Sequence, residues 1–181
     1  IHCKVIGMGA VSLTSKQLEE QPEQFKTKTP LYRIIFHAPL LEVKGFLFIN
    51  SLAPLLINCE IVIPNSKSNV VHESPDHIFA PNLKFIPMTW EMGLKEEVQA
   101  ADLVICPSLW SAPIEGALIK SLYWGRAVAV FFALYSFSNE ISNNAIIRLT
   151  SDLDQSALDI LKFLQKSQSE KQEKQYHARK Y

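Results

Sequence analysis

Several features that would assign this chain to a special environment are missing. No apolar run approaches the roughly 20 residues that a membrane-spanning helix needs. No excess of either charge exists, because 18 Lys and Arg balance 18 Asp and Glu. A net charge of zero offers no general attraction to nucleic acid or to an anionic membrane surface. Cysteine is scarce and odd in number: Cys3, Cys59 and Cys106 lie in or beside apolar runs. That usage suits reduced core thiols of a cytoplasmic protein and implies no disulfide framework. The opening residues do not have a signal-peptide pattern, and none is expected. The chain opens on Ile1 and reads as a piece of a longer protein. Through the rest of that protein it is expected to be cytoplasmic, with at most a peripheral association with the inner face of the membrane.

What is present is a core-forming composition. In 181 residues 48% are hydrophobic, enough for one domain with a sheet buried on both faces. Short apolar runs read as strands near 33–37, 59–64, 83–87, 103–106, 127–133 and 146–149. Helical patterns separate them near 44–56, 91–100, 115–124 and 154–166. Buried strands joined by helices predict an α/β fold, a parallel sheet of about six strands flanked by helices. Residues 1–32 read as an entry strand and polar linker, 33–166 as the domain, and 167–181 as a polar, basic-leaning C-terminal tail. The loop from Asn65 to Pro81 is long and poor in helix signals, a place where function or disorder often concentrates.

The richest stretch is Ala101 to Val130, ADLVICPSLWSAPIEGALIKSLYWGRAVAV, which reads as strand, loop, helix, strand. Leu103 to Cys106 has the composition of a strand buried on both faces. A helix beginning near Glu115 carries Ala117, Leu118, Leu122 and Tyr123 at three-to-four spacing and stops at Gly125. In such units ligands bind beyond the carboxyl ends of the strands, where helix N-termini present free amides to anions.

These residues carry a family resemblance. The Ala-Asp strand, Pro107-Ser108, Pro113 and Gly125-Arg126 resemble the donor-nucleotide domain of retaining GT-B glycosyltransferases of the group 1 type. Arg33 to Gly45, RIIFHAPLLEVKG, is similar to that family's strand and phosphate loop, with Lys44-Gly45 on its last two positions. The strands at 59–64 and 83–87 and the short helix at 91–100 follow in the family's order, so the likeness covers about 33–166. It implies a Rossmann-like half of a GT-B fold whose missing N-terminal half binds a saccharide or lipid-linked acceptor. The implied reaction transfers a hexosyl group from a nucleotide-diphosphate sugar, with no cofactor and no metal.

Departures from the family pattern shape the expected site. Two family glutamates, at the donor sugar and the nucleotide ribose, align with Ala112 and Lys120, and the arginine of the phosphate loop aligns with Pro39. Glu115, three residues beyond Ala112, is the candidate catalytic carboxylate. Its plain alternative is a first-turn acid stabilised by the helix dipole. Lys44 is the expected diphosphate cation and otherwise an exposed lysine opening a helix. Pro39, Asn65, Ser108, Trp110, Gly116, Ala117 and Lys120 complete the expected donor-binding set. Asn65 is equally an ordinary turn residue, and Lys120 reads first as a solvated surface lysine. The replaced charged residues also fit a non-catalytic nucleotide-sugar-binding or scaffolding domain, because a fold does not carry activity with it.

Three further motifs are set aside. Val5 to Ser12 imitates a dinucleotide fingerprint through Gly7 and Gly9, but Ser12 replaces the third glycine, which leaves little support for an oxidoreductase. Asp152 and Asp154 look like a metal-binding acid pair, yet they start an amphipathic helix and read as caps. His72 and His77, with Glu73 and Asp76, sit in a proline-containing loop without helical ligand spacing.

Overall fold

A computed structural model describes residues 31–69, 78–110, 115–134 and 136–181. The entry strand, the Gly7/Gly9 motif, Cys3, His72, Glu73, Asp76, His77, Ala112 and Pro113 lie outside those residues.

Six strands form one parallel sheet in the order β3-β2-β1-β4-β5-β6. They are β1 Tyr32–Ile35, β2 Cys59–Ile63, β3 Leu83–Phe85, β4 Leu103–Cys106, β5 Val128–Phe131 and β6 Ile147–Leu149. Each is rich in Ile, Val and Leu because helices cover both faces, so neither face requires alternating polar residues. Ile34 and Ile35, adjacent in β1, enter opposite cores. On Ile34's side lie α1 Phe46–Leu52 and the helix Leu153–Leu164, which bury Ile49, Leu52, Ile160 and Phe163. On Ile35's side lie α2 Lys95–Ala100 and α3 Gly116–Trp124, which bury Val98, Leu118, Leu122 and Trp124. The expected doubly covered, Rossmann-like sheet is the observed one.

Some elements differ from the sequence reading for local reasons. The helix expected over 44–56 is three pieces: a 3-10 turn at Glu42–Lys44, α1, and a second 3-10 turn at Ala53–Leu55. Gly45, at φ +82°, divides the first two, so Lys44 closes a turn rather than opening a helix. Pro54 ends the α-helical ladder because it has no N–H to donate. The helix expected over 91–100 is regular only in α2, since Gly93 at φ +92° breaks the preceding turn at Trp90–Leu94. Gly125 ends α3 with an extended backbone; a Cβ there would meet the Ser121 carbonyl at 2.6 Å and Val104 at 2.9 Å. Close packing of helix on strand, not a left-handed cap, requires that glycine.

After α4, the helix Leu153–Leu164, the segment expected as a polar tail is a fifth helix, α5 Gln168–Ala178. Ser167 and Glu170 form a reciprocal capping box at its start. Its apolar content is low, so docking runs through polar contacts. Lys174 donates to the carbonyls of Asn143, Asn144 and Ile146, and Gln175 donates to that of Gly125. Burial pushes the Lys174 ammonium down to about 8. Periodicity failed here because Ala178 is its one buried residue.

Asp152 caps α4, its carboxylate accepting from the Gln155 amide at 3.0 Å, as expected of the Asp152/Asp154 pair. No helix among the described residues is long and apolar enough to cross a membrane.

Candidate functional site

Strand order reverses between β1 and β4, since β1 continues to β2 on one side while β4 leads to β5 on the other. Loops leaving two such strands turn apart and open a crevice at their carboxyl ends, the usual ligand position in open α/β sheets. The described parts of those loops are residues 36–45 after β1 and, after β4, residues 107–110 and Glu115.

Backbone contacts lock the two loops together at the base of the crevice. The Leu109 amide donates to the Val43 carbonyl at 2.9 Å. Gly45 packs so tightly on Pro107 that an added Cβ would lie 2.2 Å from the Pro107 carbonyl oxygen. This close approach carries Lys44 to the far wall. Its ammonium donates to Glu115 Oε1 at 2.8 Å and stands 5.4 Å from the centre of the Trp110 ring. The two charged side chains are only 17% and 10% exposed.

Glu115 is the residue immediately before α3, and its side chain makes no capping bond to that helix. Glu115 is thus the N-cap residue, one position before the first turn of α3, and its carboxylate goes to Lys44. Among the described residues no side chain caps the leading amides of α3, an arrangement that favours an anion. Gly116, the first helical residue, is exposed, and a Cβ on it would meet nothing within 4 Å. Backbone at that point is open to close approach by a ligand.

Other expected residues fall at varying distances from this centre. Ser108 is buried after β4, its hydroxyl accepting from the Trp110 amide at 3.3 Å, while the Trp110 ring is 51% exposed on the rim. Pro39 is exposed on the β1 loop, and Ala117 is half-buried in the first turn of α3. Asn65 follows β2, where its side-chain oxygen accepts from the Ser66 amide and the Asn69 side chain, each at 2.8 Å. Those bonds fit a turn, and among the described residues no hydrogen bond joins Asn65 to Lys44 or Glu115. Arg126 of the motif is buried just before β5, where its Nε donates to the Gln99 carbonyl at 3.1 Å.

Lys120 is not the solvated lysine expected of its position. It is half-buried with its ammonium 4.3 Å from the centre of the Trp90 ring. The irregular turn after β3 supplies that ring. Such a cation-π contact holds the charge between α3 and the turn that follows β3.

Sequence reasoning passed over His37 and Ser121. His37 follows β1, its Nε2 lying 2.7 Å from Ser121 Oγ. The Ser121 hydroxyl donates to the Ala117 carbonyl at 2.7 Å, so it accepts from His37 Nε2–H, which places the neutral imidazole's proton on Nε2. Cys106 Sγ is 3.3 Å from the same oxygen. Burial pushes the Cys106 thiol up to about 12 and the Cys59 thiol to about 11, so both are inert. The available signals were a serine at an apolar position of α3 and a histidine directly after a buried strand.

Burial, assisted by the nearby Lys120 charge, lowers His37 from 6.5 to about 4. The unfolded chain then binds the proton more readily than the folded one between these values. Stability from this residue is present above about pH 6.5 and declines as the pH falls toward 4. In urea titrations across this range, His37→Gln is expected to flatten that part of the profile. An unchanged slope would assign the acid sensitivity to other groups.

A separate cavity lined by Arg33, Lys67, Phe79, Lys84 and Phe85 lies at the β3 edge of the sheet, and none of the crevice residues lines it. Arg33 is held there by carboxylates, pairing with Glu97 and, at 3.3 Å, with Glu60.

No protein-family model and no curated relative matches the chain by sequence. Solved structures match its fold. A variant of TarM from S. aureus, in complex with fondaparinux, alpha-GlcNAc-glycerol and UDP, aligns at 14% identity with a TM-score of 0.65, over 87% of this chain and 34% of that one. HepE from Anabaena in complex with UDP-glucose aligns at 13% identity and 0.64, over 83% and 43%. Sucrose-phosphate synthase from Thermosynechococcus elongatus aligns at 12% and 0.66, over 91% and 42%. These neighbours are GT-B glycosyltransferases, and the chain has the fold of one of their halves. It spans less than half the length of each.

Proposed function

We propose that this chain is the donor-binding half of a retaining glycosyltransferase of the group 1 type and holds the diphosphate of a nucleotide sugar at the β1/β4 crevice. The observation that carries the reading is the meeting of Lys44 and Glu115 beside the uncapped head of α3, at the switch point of the sheet. A lysine and a row of helix amides converging on one opening form an anion site. The fold shared with UDP-bound TarM and UDP-glucose-bound HepE supports a nucleotide sugar as the anion.

In this reading Lys44 and the amides of Gly116 and Ala117 neutralise the leaving diphosphate. Charge grows on its oxygens as the glycosidic bond breaks, and donors already in place stabilise it without reorganisation. Glu115 supplies the carboxylate on the sugar side. The Trp110 ring forms the crevice rim above the buried Ser108, and Lys120 stands further along α3 over Trp90 of the turn after β3. The saccharide or lipid-linked acceptor, the second half of the enzyme and a cytoplasmic setting at the membrane face belong to the whole protein. Proximity catalysis requires the acceptor, so the isolated half is expected to bind donor but turn over little.

Calorimetric titration with UDP, GDP, ADP and uridine tests this. One diphosphate is expected to bind at a single site with much higher affinity than its nucleoside. No preference for any diphosphate over uridine would overturn the reading.

A further inference from the structure

We infer that Glu115 is the counter-ion a diphosphate must displace from Lys44, and that this exchange makes the crevice favour the sugar-bearing donor over the free nucleoside diphosphate. The inference rests on the proposed diphosphate site and adds a specificity role to it. Lys44 is already engaged, with Glu115 Oε1 at 2.8 Å and the indole of Trp110 on another side. Both partners are largely withdrawn from water, so the pair is not an incidental surface contact.

A diphosphate that takes Lys44 leaves the Glu115 carboxylate without its cation and beside a new anion. Like charges in a partly desolvated site oppose each other strongly. Surrounding groups give little relief. Cys106 is a buried neutral thiol near the pair, and Lys120, one turn along α3, stands over Trp90. His37, also on this side of α3, is neutral above about pH 4.

Relief comes from hydroxyl donors. A sugar attached to the diphosphate presents several O–H groups, which the released carboxylate accepts, and esterification removes one negative charge from the terminal phosphate. Free diphosphate offers neither. Glu115 thus weakens binding of the bare diphosphate, the product of transfer, more than binding of the donor.

The test compares UDP with UDP-glucose, or the corresponding GDP or ADP pair if that base binds, on the folded chain and on Glu115→Gln. Glutamine keeps the shape and removes the charge. UDP is expected to bind about tenfold more tightly to the variant, with UDP-glucose within about twofold, so discrimination collapses. Equal tightening of both ligands, or no tightening of UDP, would overturn the exchange. Glu115→Asp, which retains charge with shorter reach, is expected to keep the discrimination; its loss there would equally overturn it. Failure of the diphosphate site itself reads differently, as no effect of Lys44→Ala on UDP.

Discussion

Lys44→Ala is expected to weaken nucleoside diphosphate binding about ten- to a hundredfold and to leave nucleoside binding nearly unchanged. A hydrogen bond to a charged group contributes roughly 1.5 to 3 kcal/mol, which corresponds to that range of affinity. Lys44 faces the uncapped end of α3 across a gap that its own ion pair with Glu115 bridges. A phosphate placed between them would meet the ammonium and the helix amides together. The nucleoside has no group of that charge, so calorimetry with the diphosphate and nucleoside side by side separates a phosphate contact from a general disturbance. Equal losses for both ligands would remove Lys44 from the phosphate site. Removal of the lysine also leaves Glu115 with no cation in a mostly buried position, so a fall in melting temperature accompanies the binding defect. That fall is independent of added ligand, whereas the binding defect is read from the ligand series.

Gly45→Ala is expected to be the most damaging small substitution at the site, with a loss on the order of 3 kcal/mol or more of stability. Two effects combine. At φ +82° an L-residue pays roughly 1 to 2 kcal/mol for the left-handed region. Its Cβ would also lie 2.2 Å from the Pro107 carbonyl oxygen and 2.8 Å from the proline ring, so backbone must move. Movement there separates the two loops, breaks the Leu109–Val43 hydrogen bond and withdraws Lys44 from Glu115. Gly93 provides the internal control, because its φ is +92° yet nothing lies within 4 Å of a Cβ built on it. Gly93→Ala is expected to show the backbone effect alone, about 1 to 2 kcal/mol in urea unfolding. Comparable losses at the two glycines would show that the approach of the β1 loop to Pro107 does not govern the crevice.

The difference between these glycines also shows where sequence reading stops. The phosphate-loop resemblance marks Lys44-Gly45, but nothing in the string shows that Gly45 rather than Gly93 packs against a distant loop. Pro107 lies more than 60 residues from Gly45, and only the pairing of β1 with β4 brings them together. Glu115 and Lys44 were both legible as charged residues near strand ends, but their mutual bond depends on the same pairing. His37 and Ser121 escaped for a related reason. Each is unremarkable in its own segment, and the bond between them exists because α3 lies across the end of β1.

What the amino-acid sequence determined was the set of elements and their burial. Runs such as Leu103–Cys106 and Val128–Phe131 are apolar on both faces, a composition that suits a doubly covered parallel sheet, and the strands observed fall within about two residues of those expected. Tertiary structure decided strand order, and with it which loops share the crevice. It also decided the places where local pattern misleads. Helix α5 is held by Lys174 and Gln175 donating to backbone carbonyls of distant loops, contacts that leave no hydrophobic period to read. Lys120 is drawn onto Trp90 by a turn that Gly93 reshapes. Hydrophobic burial is recorded residue by residue along a chain because each element must present its own apolar face. Ion pairs, cation-π contacts and polar docking depend on two partners meeting, and that meeting is a property of the fold.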